Sequence, residues 1–186
     1  MRLKRAVMGV AVLAGCAIPD PVTKNGPVSA SDFKVVITLP DQENADIHYE
    51  ELVYSSGVWL QSASWGGTEH PLRLMMKVVD FNGANYLATR YPFAVSLLRL
   101  DPVLKGMNLE LGQTYNVQAK DGVVSGQNFT VSGNSCLAFF EGLRLGAMGT
   151  KGVGDGAIHG YYCAPTGKVI SERAAMKILT SIEFHK

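Results

Sequence analysis

The runs SCLAFFEGL (135–143) and AIHGYYCA (157–164) stand on either side of a glycine-rich loop, and both read as β-strands. Paired as a hairpin about that loop, they place Cys136 opposite Cys163 and Leu137 opposite Tyr162. Directly opposed residues have Cβ atoms about 4.5–5.5 Å apart, close enough for two cysteines to join. A pair of neighbouring antiparallel strands is therefore the seed from which the fold is built outward.

Upstream, Thr114–Lys120 and Gly126–Ser132 read as two more strands about an Asp121-Gly122 turn. Nearer the amino terminus, Asp32–Leu39 sets Phe33, Val35, Ile37 and Leu39 on one face at period two, a half-buried strand stopped by Pro40-Asp41. Ile47–Tyr54 and Val58–Trp65 follow, joined by the Ser55-Ser56-Gly57 turn. Pro71–Val79 alternates, and Asn82-Gly83 signals a hairpin returning into Tyr86–Tyr91. Two helices are expected. A short central one over Phe93–Leu100 carries Phe93, Leu97 and Leu100 on one stripe and ends at Asp101-Pro102. The carboxy-terminal one is N-capped by Ser171 and carries Ala175, Ile178, Leu179 and Ile182 at i, i+3, i+4 and i+7. The expected fold class is α+β: a single domain over residues 32–186, with an antiparallel, meander-like sheet and both helices packed on one face. At 186 residues with 47% hydrophobic and 18% charged side chains, the chain can bury a core of its own.

The amino terminus carries a different signal. Arg2, Lys4 and Arg5 precede the apolar run Ala6–Leu13, the pattern of an exported protein's leader. Leu13-Ala14-Gly15-Cys16 then resembles the lipobox of bacterial lipoprotein precursors. That resemblance implies a signal peptide over 1–15, cleavage after Gly15 and lipidation of Cys16 with palmitate-type acyl chains. The membrane becomes a partner through the lipid anchor, and the domain faces the periplasm. Ala17, where an aspartate favours inner-membrane retention in such proteins, points to the outer membrane. Residues 16–31 contain Pro19, Pro21, Gly26 and Pro27 without apolar periodicity, which predicts a flexible tether spanning on the order of 20 Å. The precursor charge is +1; losing three basic residues with 1–15 leaves 14 basic against 16 acidic, or −2. That balance argues against a nucleic-acid partner, whose footprint is a basic excess. With Cys16 acylated, Cys136 and Cys163 are the remaining cysteines, and an exported domain favours their disulfide.

Candidate chemistry is sparse. The loop Gly146–Gly156 holds five glycines with Lys151 and Asp155, but it matches neither phosphate-loop pattern and precedes a strand rather than a helix. A flexible hairpin loop is the simpler reading. Cys136 as nucleophile, His159 as base and Glu141 or Asp155 as orienter would make a hydrolase, provided Cys136 is a free thiol. The four histidines are scattered, so no metal site and no cofactor are expected. Trp59 and Trp65 share parity on one strand and, with Lys151 and Asp155, form the candidate binding surface. The leading expectation is a non-enzymatic module that binds an envelope protein or component. Its alternative is a small-molecule or lipid carrier with a groove between sheet and helices.

Overall fold

The computed structural model describes residues 21–42, 45–55, 57, 59–66, 74–80, 104–143 and 156–185, the backbone alone for 75–80. Ten strands and one helix are present among them: β1 (Val22–Pro27), β2 (Val35–Val36), β3 (His48–Tyr54), β4 (Trp59–Trp65), β5 (Leu74–Asp80), β6 (Leu109–Gln118), β7 (Val123–Val131), β8 (Asn134–Leu143), β9 (Gly156–Cys163), α1 (Glu172–Thr180) and β10 (Glu183–Phe184). Eight strands form one antiparallel sheet in the order β1-β3-β4-β5-β9-β8-β7-β6, and β10 pairs with β2 in a separate ribbon.

This architecture corrects the α+β expectation. The described residues are mainly β, about 55% strand and 9% helix. The expected helix over Phe93–Leu100, the Asn82-Gly83 hairpin and its return strand to Tyr91 lie outside the described residues. The carboxy-terminal helix is present, but at nine residues it covers a small part of an eight-stranded sheet. Sequence patterning also undercounted strand: β6 begins at Leu109, five residues before the expected Thr114, and its outer half is exposed. The sheet is two meanders rather than one, β3-β4-β5 and β6-β7-β8-β9, joined where β9 lies against β5. Strand β9 is buried along nearly its whole length, on both faces, which suits a central position.

The tether is likewise corrected. Val22–Pro27 pairs with β3, from Val22 opposite Tyr54 to Pro27 opposite Glu50, so the ordered chain begins well before Asp32. This edge strand is held by backbone hydrogen bonds and a Lys24–Glu51 ion pair while its side chains stay exposed, so no apolar alternation announces it. Asp32–Leu39 is corrected in its pairing, not its faces. Phe33, Val35, Ile37 and Leu39 are each buried as expected, yet Val35 and Val36 alone form a ladder, with β10. Side chains complete the stitching: Lys34 N donates to Gln61 Oε1 at 2.9 Å, and Thr38 N donates to Ser181 Oγ at 2.9 Å.

The core follows from strand parity. One sheet face carries Ala63, Leu74, Val124, Leu137, Phe139, Ile158 and Tyr162, and is covered by segment 33–39 and by α1 through Ala175, Ile178 and Leu179. The opposite face carries a second cluster of Leu104, Phe129, Val131, Cys136, Ala138, Tyr161 and Cys163, with Phe129 and Tyr161 edge-on at 6.3 Å. Cys136 is opposite Cys163 and Leu137 opposite Tyr162, the register expected from sequence, and a disulfide joins the two cysteines across a Cα separation of 4.0 Å. Between β7 and β8, Ser132 (φ 49°) and Gly133 (φ 79°) are both left-handed, the geometry of a two-residue hairpin that follows the strand twist. Helix α1 starts where its cap dictates: the Ser171 hydroxyl accepts from Ala174 N at 3.3 Å.

Candidate functional site

The expected site residues do not converge. Cys16, Lys151 and Asp155 lie outside the described residues. Trp59 and Trp65 do share a face, and it is the core face, where both pack half-buried against the main cluster. Trp59 is further tied down, its indole N–H donating to Glu51 Oε1 at 2.7 Å. Gln61 donates to the same oxygen at 3.4 Å and to Asp32 O at 3.1 Å. The Lys24 ammonium, foremost, and the Trp59 indole hold the Glu51 carboxyl below its ordinary value. This polar network fastens β1 and segment 32–34 to β3 and β4, so Trp59 works as a fastener at the core margin rather than as an open platform.

The hydrolase reading fails on the disulfide, which leaves Cys136 no thiol to ionise. Geometry opposes it as well. His159 faces Phe140, four residues along β8 from Cys136, or about 13 Å at the rise of a strand. Among the described residues no three His, Cys, Asp or Glu side chains gather as a metal site would require.

A cleft that sequence reasoning did not single out is lined by residues of α1 and of the end of β9. Its volume is about 310 Å³, within the lower range for small-ligand sites. Ala174 and Ile178, four apart on α1, make one wall. Tyr162 and Ala164, two apart in the extended chain at the end of β9, line it on the sheet side, and Pro40, Asp41, Pro165, Val169 and Ile170 line the rest. Its walls are mainly apolar. Two polar features punctuate them: the Tyr162 hydroxyl donates to Asp41 Oδ1 at 2.8 Å, and Lys168 stands at the rim. The turn Pro165–Lys168, closed by Lys168 N donating to Pro165 O at 2.9 Å with Gly167 at φ 75°, turns Val169 outward. Val169 is the most exposed of the large apolar residues described, at 81%. The available sequence signal was the Pro165-Thr166-Gly167 turn followed by an apolar residue that belongs to no amphipathic pattern.

Two other hollows suit a ligand less. One of about 200 Å³ sits among the core residues Phe33, Val35, Ile37 and Tyr49, and one of about 350 Å³ is a polar recess at the Ser132-Gly133 hairpin. Compared with protein-family models, curated proteins and solved structures, the chain finds no match.

Proposed function

We propose that this protein is a lipid-anchored binding domain of the bacterial envelope, held by Cys16 at a membrane, the outer one by the Ala17 criterion, and facing the periplasm. In this reading the cleft beside α1 takes an apolar group of an envelope component. The observation that carries it is the cleft itself: apolar walls from three separate segments, with a hydrogen-bonded tyrosine–aspartate pair at one side and a lysine at the rim. Such a mix binds a mainly apolar group and orients it by a few polar contacts. A lipid anchor keeps the domain concentrated at the membrane, so modest affinity at the cleft is sufficient. The space accommodates a short acyl segment or one or two large side chains of a partner, not a whole lipid. That volume favours docking of a group on an envelope component over carriage of a complete lipid.

Titration of the mature domain with N-phenyl-1-naphthylamine, an apolar fluorescent probe, tests the cleft. Saturable binding of about one probe per chain is expected. Ala174→Trp, which fills the cleft, should weaken it tenfold or more, while Met176→Trp on the exposed side of α1 should leave it unchanged. Absence of saturable binding, or equal binding by the Ala174 variant, contradicts the assignment.

A further inference from the structure

On the core face of β8, Glu141 stands between Val124 of β7 and Ile158 of β9. It is completely buried, and neither carboxyl oxygen has a hydrogen-bond partner. An ionised carboxylate without partners in such a place is disfavoured, so the proton is held to higher pH than on a solvated carboxyl. The group lies under the β6–β7 turn: a Cβ added to Gly122 would come within 3.1 Å of Glu141 Oε1. That turn in turn holds the carboxy-terminal strand. Asp121 Oδ2 accepts from Phe184 N at 2.9 Å, and Lys120 Nζ pairs with Glu183 Oε2 at 2.7 Å. Glu183 and Phe184 are β10, which clamps β2 and with it the segment covering the sheet.

We propose that Glu141 is a proton switch beneath a latch: neutral, it lets the Lys120–Gly122 turn sit down and grip β10, and ionised, it draws in water, repels Asp121 and releases β10 from the turn. Burial, foremost, and the Asp121 carboxylate raise Glu141 to about 7, which sets the switch near neutral pH. Among the described residues the charge acting on it is Asp121 in the turn, next in sequence to Lys120, which pairs with Glu183 of β10. Val124 and Ile158, directly opposite on β7 and β9, carry no charge, and Arg173 and Lys177 of α1 are exposed. His185, 3.9 Å from Glu183, must be separated from Glu141 in any test. The direction follows from linkage. Below the ordinary value of 4.5 Glu141 is neutral whether the chain is folded or not. As pH rises from there to about 7, the open state ionises first, so the latch weakens progressively and levels off above.

The test is an NMR titration of the mature domain from pH 5 to 9, following the Glu141 carboxyl carbon together with the Phe184 and Val36 amides. The expected result is a carboxyl midpoint near 7 and amide shifts toward a released state with that midpoint. Glu141→Gln, which keeps shape without charge, should hold both amides in the latched position throughout, while His185→Asn should leave the transition in place. A Glu141 midpoint below 5 overturns the proposal, as does an amide transition that persists in Glu141→Gln. Loss of that transition in His185→Asn overturns it equally.

Discussion

Leu179→Ala destabilises the domain by about 2–5 kcal/mol, the cost of emptying a buried leucine site, whereas Lys177→Ala, two residues earlier and exposed, changes stability by no more than about 0.5 kcal/mol. The large value follows from where Leu179 sits. It is fully buried, and its methyl groups lie on the backbone of β7 at Gly126. A Cβ placed on Gly126 would meet Leu179 Cδ1 at 2.6 Å and Cδ2 at 2.9 Å, so the glycine is the socket in which the helix is seated. Gly126→Ala alone should therefore overpack the site at a cost of about 1–3 kcal/mol. Combined with Leu179→Ala it should cost clearly less than the sum, because the shortened side chain vacates the contested space. Urea unfolding of the four proteins measures the cycle. Strict additivity, or equal small effects at positions 177 and 179, would mean that α1 is not docked as described.

Replacing Cys136 and Cys163 together by alanine lowers stability by roughly 3.5 kcal/mol on the chain-entropy estimate for their sequence separation of 27. A typical domain has about 5–15 kcal/mol in all, so this is a large share. The bridge lies within the second hydrophobic cluster, with Cys136 and Cys163 at 0% and 2% exposure, so alanine there also removes buried sulfur from that cluster. Thermal unfolding of the oxidised wild type and the double variant reads the difference. Alkylation without reduction followed by mass spectrometry should yield the joined Cys136 and Cys163 peptides. Equal unfolding midpoints, or full alkylation of both cysteines, would remove the bridge from the stability account.

Legibility in the sequence followed burial. The hairpin register of β8 and β9 could be read because two opposed cysteines and two apolar runs fix it. Helix α1 could be read because Ser171 and the Ala175, Ile178, Leu179 stripe each announce it. The faces of Phe33, Val35, Ile37 and Leu39 were correct, but periodicity names a face and not a neighbour. The partners of that segment are β10 and the side chains of Gln61 and Ser181, far away in the chain. Strand β1 was illegible for the opposite reason: an exposed edge strand needs no apolar side chains and reads as a proline-containing linker. The α+β expectation gave two helices the weight of a structural layer, whereas in the described chain the extended segment 33–39 shares the covering of the sheet with α1. The cleft escaped detection because its walls come from residues 40–41, 162–170 and 174–178, and none of these is unusual alone. Glu141 entered the sequence reading only as a possible orienter in a hydrolase, and its lack of partners is a property of three dimensions.

The tethered-domain account is tested most directly at Cys16, by metabolic labelling with radioactive palmitate in a bacterial host followed by membrane fractionation. The wild-type chain should take up label and sediment with membranes. Cys16→Ser offers no thiolate to alkylate and should remain an unlabelled, uncleaved precursor. A Cys16→Ser chain that still incorporates palmitate and fractionates as the wild type does would contradict the anchor at this residue, and with it the placement of the cleft at a membrane surface.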